Sequence, residues 1–213
     1  MSLVVKVSLF NRRRKWKHFM NLVNPDEKTT ILDVGFNDTE YFENDNFLEK
    51  NYPYRKNITA LGLEEPVNFN KIYPEIKAMA YDGKIFPFKD KEFDVVWANA
   101  VLEHVGVFDR QVLFLQQINR VCNKAFITTP NRLFPFEVHT HAFLLHWLPR
   151  KTFNKYLVWR GKEWAAGDYM FLLKRDDIKK LLKAAGIKKY KIIPNRLFGL
   201  TLDFIIYFGD GIE

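Results

Sequence analysis

Apolar and polar positions along the chain follow two periods. Residues 30–34 form a short apolar run, with Pro25, Asp26 and Lys28 before it and Gly35 after it, which predicts a buried parallel strand. Comparable runs at residues 58–63, 78–81, 93–98 and 125–128 have helical or loop segments between them. That alternation predicts an α/β fold on a mostly parallel sheet. Between the last two runs, Val112, Leu115, Ile118 and Val121 recur every third residue, whereas Arg110, Gln116, Gln117, Asn119 and Arg120 are polar. This is the pattern of an amphipathic crossover helix. Another helix starts at Asp176 or Asp177, whose carboxylates suit a helix N-terminus, and stops at Gly186. Residues 190–193 and 202–208 then predict a closing antiparallel pair.

Two stretches depart from the alternation. In residues 1–24, Arg12, Arg13, Arg14, Lys15 and Lys17 interleave with Phe10, Trp16, Phe19, Met20 and Leu22, which predicts a packed helix with a solvated basic face. Residues 133–170 concentrate aromatic side chains and read as an insertion after the fifth strand. Ligands on open parallel sheets bind beyond the carboxyl ends of the strands, so this insertion is expected to cap a substrate. His139, His141 and His146 fall within it. They read as the polar rim of the cap, and no metal site is expected.

Composition narrows the field. With 213 residues and 47% hydrophobic residues the chain should fold, as a single domain over 1–213. The lone Cys122 excludes an internal disulfide and, with no signal-peptide pattern at the N-terminus, a reducing cytoplasmic compartment is the expectation. No apolar run approaches the ~20 residues of a membrane-spanning helix. The formal charge of +8 leaves peripheral contact with an anionic membrane open, whereas no nucleic-acid motif accompanies the basic cluster. No glycine-x-serine-x-glycine elbow, phosphate loop or paired-cysteine pattern is present. The oligomeric state is not set by the sequence.

Several linked motifs carry more specific information. Tyr81-Asp82-Gly83 is followed by Phe86-Pro87-Phe88 and Phe93-Asp94-Val95-Val96, and then by Ala100-Val101-Leu102-Glu103-His104-Val105. Upstream stand Asp33-Val34-Gly35 and Gly62-Leu63-Glu64, and downstream Thr129-Pro130-Asn131-Arg132. Over roughly residues 30–130 this resembles the class I S-adenosylmethionine-dependent methyltransferases, in particular methyltransferase type 11. The resemblance implies a doubly wound, Rossmann-like sheet of seven strands with an antiparallel C-terminal strand. It implies S-adenosylmethionine as cofactor and in-line methyl transfer to a small or lipid- or sugar-linked acceptor.

By the same resemblance Asp33, Gly35 and Asn37 would line the methionyl end, Glu64 the ribose, Asp82 and Gly83 the adenine, and Asn99 the transferred methyl. Glu65 competes with Glu64. Glu64 follows Asp33 by 31 positions (64 − 33), and the polar stretch 44–57 reads as an insertion that accounts for the excess. His104 would take the acceptor's proton, and Asp94 would be structural. The family's alternating glycines are here Gly35, Asn37 and Thr39, which leaves open a second function: a non-catalytic relative that binds a ligand or partner.

Overall fold

The computed structural model describes residues 3–137, 140–167 and 170–212. The chain opens with helix α1 (Leu3–Val23), then strand β1 (Ile31–Val34), helix α2 (Phe47–Asn51), β2 (Ile58–Gly62), α3 (Phe69–Ile72), β3 (Lys77–Ala80) and β4 (Phe93–Asn99). Helix α4 (Phe108–Val121) leads into β5 (Cys122–Pro130). A cap follows, made of β6 (Phe136–Glu137), β7 (Ala142–Phe143) and α5 (Arg150–Trp159) with short 3-10 turns. Helix α6 (Arg175–Ala184), β8 (Tyr190–Leu197) and β9 (Leu200–Gly209) complete the order.

Seven strands form one sheet in the order β3-β2-β1-β4-β5-β9-β8, parallel except that β9 runs antiparallel to both neighbours. β1 is buried at all four positions and β4 at six of seven, which is why both read as near-continuous apolar runs. Strand order reverses between β1 and β4, so the ligand crevice is expected at their carboxyl ends. Gly186, φ 77°, ends the segment after α6 as the sequence implied. Asp94 is structural in the sense anticipated: its Oδ2 accepts from the amide and hydroxyl of Thr30 at 2.9 and 2.8 Å, tying the start of β4 to that of β1.

Helix α1 is clamped to the sheet by aromatic rings. Trp97 and Phe126, on adjacent strands, stack at 5.2 Å, and Phe19 meets them edge-on at 4.9 and 5.4 Å. Edge-to-face contacts of this kind add to the large apolar area each ring removes from water. This packing corrects one expectation. Arg13 and Lys17 do face solvent, but two of the basic residues of α1 do not: Lys15 is 4% exposed and pairs with Asp203 at 3.7 Å, and half-buried Arg12 turns towards the sheet edge. The reason is the position of buried acids on β1 and β9, which supply counter-charge that a helix viewed alone does not show.

Residues 44–57, polar as they are in sequence, are anchored from within. Phe47, Leu48 and Tyr52 are buried in the core, and Glu49 is buried with them. The cap has its own small cluster of Ala142, Phe153, Leu157 and Ala165, yet Trp159 is 77% exposed, so only part of its aromatic content faces inward. His141 stacks on Phe136 at 6.0 Å, while His139 lies outside the described residues. Among the described residues no group of His, Cys, Asp and Glu is placed to hold a metal, and no helix is long and apolar enough to cross a membrane.

Candidate functional site

A polar cavity of about 160 Å³ opens at the carboxyl ends of β1 and β4, walled by α1 and α2. Gly35 ends β1 with φ 101°, and a Cβ there would lie 2.4 Å from Val101 Cγ2. Only glycine fits that close approach of the two strand ends. Its amide is bonded to the Leu61 carbonyl at 2.8 Å. Beyond it the loop is held by polar side chains. Asn46 accepts from the Asn37 amide and donates to the Asn37 carbonyl, both at 2.9 Å. Asp38 caps the start of α3 by accepting from the Asn68 and Phe69 amides. Those bonds pull the Asp38 carboxyl below its ordinary range.

Three lining groups are incompletely satisfied inside the protein. Glu49 is fully buried, and apart from a proton shared with the Asp33 carboxyl its oxygens meet no donor. Asn99 is 8% exposed; its Oδ1 accepts from the Thr128 hydroxyl at 2.8 Å, which fixes the amide and leaves Nδ2 unpaired. Among the described residues Arg12 has no hydrogen-bonded or ion-paired partner, although Asp45, Asp203, Asp33 and Glu103 support its charge from a distance. Unpaired buried polar groups cost about 1–3 kcal/mol each and are rare in native proteins, so Glu49 and Asn99, beside the half-buried Arg12, mark a cavity suited to a polar ligand.

The floor holds a second anomaly. Burial, then the Glu49 charge, pushes the Asp33 carboxyl well above its ordinary range. Burial likewise raises Glu49. Two carboxyls held together out of water resist double ionisation, and a cation placed between them would relieve that resistance. Beside the cavity Lys15, Asn11 and Asn195 converge on Asp203, with Asn11 Nδ2 donating to its Oδ2 at 2.6 Å. Burial lowers the Lys15 ammonium, and Asp203 offsets part of that loss.

Of the residues singled out in the sequence, Asp33, Gly35, Asn37 and Asn99 line this cavity together. Glu64, Asp82 and Gly83 do not. Glu64 and Asp82 are exposed, each two residues past the paired ends Gly62 and Ala80 of β2 and β3. Asp82 Oδ1 accepts from the Lys84 and Ile85 amides, the turn-capping bond of an Asx turn, and this draws its carboxyl down. Thr39 is exposed and does not line the cavity. His104 is half-buried in a 3-10 turn and is not a lining residue, whereas neighbouring Glu103 is fully buried with Thr129 donating to its Oε2 at 3.0 Å. Arg12 and Glu49 were missed because each reads as surface charge; the only trace of Glu49's burial is its place directly after Phe47 and Leu48.

A family model described as a methyltransferase domain matches residues 52–125. No curated protein matches the sequence. Solved structures do. A SAM-dependent methyltransferase from Aquifex aeolicus aligns with TM-score 0.57 at 13% identity, over 90% of this chain and 87% of that one. Burkholderia thailandensis 1,6-didemethyltoxoflavin-N1-methyltransferase, with its substrate and S-adenosylhomocysteine bound, aligns with TM-score 0.60 at 14% identity, over 94% and 79%. Magnesium protoporphyrin IX methyltransferase from Synechocystis, also with S-adenosylhomocysteine, gives 0.56 at 11%, over 92% and 81%.

Proposed function

We propose that this chain, a class I S-adenosylmethionine-dependent methyltransferase by fold and by its methyltransferase-domain match, holds the amino-acid end of that cofactor in the cavity between α1, α2, β1 and β4. It would pass the methyl group to a small or lipid- or sugar-linked acceptor under the cap. The observation that carries this reading is the complementarity of Glu49, Asn99 and Arg12, which line one cavity, to a zwitterion. The Glu49 carboxylate, with Asp33, suits an ammonium; the Arg12 guanidinium and Asn99 Nδ2 suit a carboxylate. The residues present fit the cofactor at this end.

When bound, S-adenosylmethionine supplies a sulfonium methyl that a nucleophile displaces in line. The chain's own task is placement. Gly35 lets the backbone approach without a side chain between, and the two bonds between Asn37 and Asn46 fix the loop that follows it. At the neighbouring strand ends Glu64 would accept from ribose hydroxyls, with Asp82 and Gly83 beside the adenine. His104 remains the sequence's candidate for the acceptor's proton.

Calorimetric titration with S-adenosylhomocysteine tests the reading. Wild type is expected to bind saturably, while Arg12→Met and Glu49→Gln each weaken binding at least tenfold. Absence of binding by wild type at millimolar ligand would overturn it.

A further inference from the structure

A second, larger cavity of about 390 Å³ lies in the seam between the cap and α4 and α6. Its size sits at the lower end of pockets that hold small organic ligands, roughly 300–1,000 Å³. Most of the wall is apolar, from side chains such as Phe108, Phe153, Phe171 and Leu181. The polar groups within that wall are specific. The guanidinium of Arg132, half-buried beyond the end of β5, has no hydrogen-bonded or ion-paired partner among the described residues. Arg150 lies over the Phe171 ring at 3.7 Å and donates to the Gly167 carbonyl. The lining acid, Asp177, accepts from the Lys174 amide at 3.0 Å, so its charge is engaged at the start of α6.

His146 supplies an independent pointer. It is 5% exposed, and its Nε2 sits 2.9 Å from the Phe134 carbonyl. A carbonyl only accepts, so Nε2 carries the hydrogen, and in that tautomer Nδ1 is the ring's acceptor. Nδ1 is buried with no partner. A buried acceptor beside an unpaired guanidinium in an apolar hollow calls for a ligand that donates one hydrogen and carries one negative charge.

The seam cavity is tied to the polar cavity through the segment that follows β4. Val101 lines the polar cavity, while the next two residues bond to seam residues: Gln111 Nε2 donates to the Leu102 carbonyl at 3.0 Å and the Phe171 amide to the Glu103 carbonyl at 2.7 Å.

We infer that the seam cavity is the acceptor site, taking an apolar small molecule that bears one anionic group, held by Arg132, and one hydroxyl, whose hydrogen His146 Nδ1 accepts. Naming this ligand the acceptor rests on the methyl-transfer reading; the binding site itself does not.

The test is calorimetric titration of the apo protein with three probes below their aggregation limits: ω-hydroxydodecanoate, dodecanoate and dodecanediol. Wild type is expected to bind the hydroxy acid most tightly, dodecanoate about tenfold more weakly for want of the hydroxyl, and the diol more weakly again. Arg132→Gln should weaken both carboxylates about tenfold and leave the diol unchanged. His146→Phe should erase the preference for the hydroxy acid over dodecanoate; if that variant does not fold, the preference in wild type reads the same interaction. No saturable binding, or binding indifferent to charge and to Arg132, overturns the site. Retained S-adenosylhomocysteine binding alongside that result would spare the methyl-transfer reading. Probe binding with no S-adenosylhomocysteine binding would keep the seam site and sink methyl transfer.

Discussion

Replacing Glu49 by Gln changes one buried charge and almost no volume, and should move cofactor affinity and stability in opposite directions. Glu49 is fully buried with no donor but the Asp33 carboxyl, so an ammonium placed there gains a charge-assisted bond of about 1.5–3 kcal/mol. Gln keeps a weaker neutral acceptor, and the expected loss in S-adenosylhomocysteine affinity is roughly 10- to 100-fold. Stability should respond with the other sign. Asp33 in the folded state is raised by burial and by Glu49, so its contribution to stability is fully present at acid pH and is lost as pH rises through the raised value. The apo wild type should therefore melt lower at about pH 8 than at about pH 5, and Glu49→Gln should flatten that slope. Binding an ammonium beside the pair should also expel a proton, so calorimetric heats should vary with the buffer's ionisation enthalpy. Equal affinity for both proteins, with identical pH dependence of melting, would refute the reasoning.

Other perturbations follow from the packing. Phe19→Ala removes the ring wedged against Trp97 and Phe126 and should cost about 3–5 kcal/mol in chemical denaturation; because it loosens α1, S-adenosylhomocysteine binding should weaken too. Gly35→Ala sets a Cβ 2.4 Å from Val101 Cγ2 at a positive φ and should destabilise by about 1–3 kcal/mol, with Val101→Ala restoring only part, since the backbone strain persists. Cys122 is buried and its thiol is pushed up to about 12, so iodoacetamide should leave it unmodified in the native protein and label it fully in denaturant; rapid native labelling would contradict the described burial.

The sheet was legible because its strands are buried on both faces. Runs such as Phe93 to Asn99 have no solvent side to imprint alternation, and the turn residues around them mark the boundaries. The loop at Gly35 was legible for a similar reason, since a tight approach requires a glycine. Arg12, Lys15 and Glu49 were not. Charged residues are seldom buried, so a reading by hydropathy assigns them to solvent, and only the fold reveals the counter-charge on Asp33 and Asp203. The cap's interior was hidden too: His146 and Arg132 belong to the aromatic insertion and to the turn after β5, and nothing in their spacing tells that they share a hollow.

The joining of α1 to β9 bears on when this protein becomes competent during synthesis. Asn11 meets Asp203 across 192 positions, and Tyr207 donates to the Leu22 carbonyl across 185. A nascent chain growing at roughly 5–20 residues per second would hold the basic helix for many seconds before its acidic counterpart is made. Through that interval Lys15 has no Asp203 to pair with, so the polar anchorage of α1 on the sheet waits for β9 to be made.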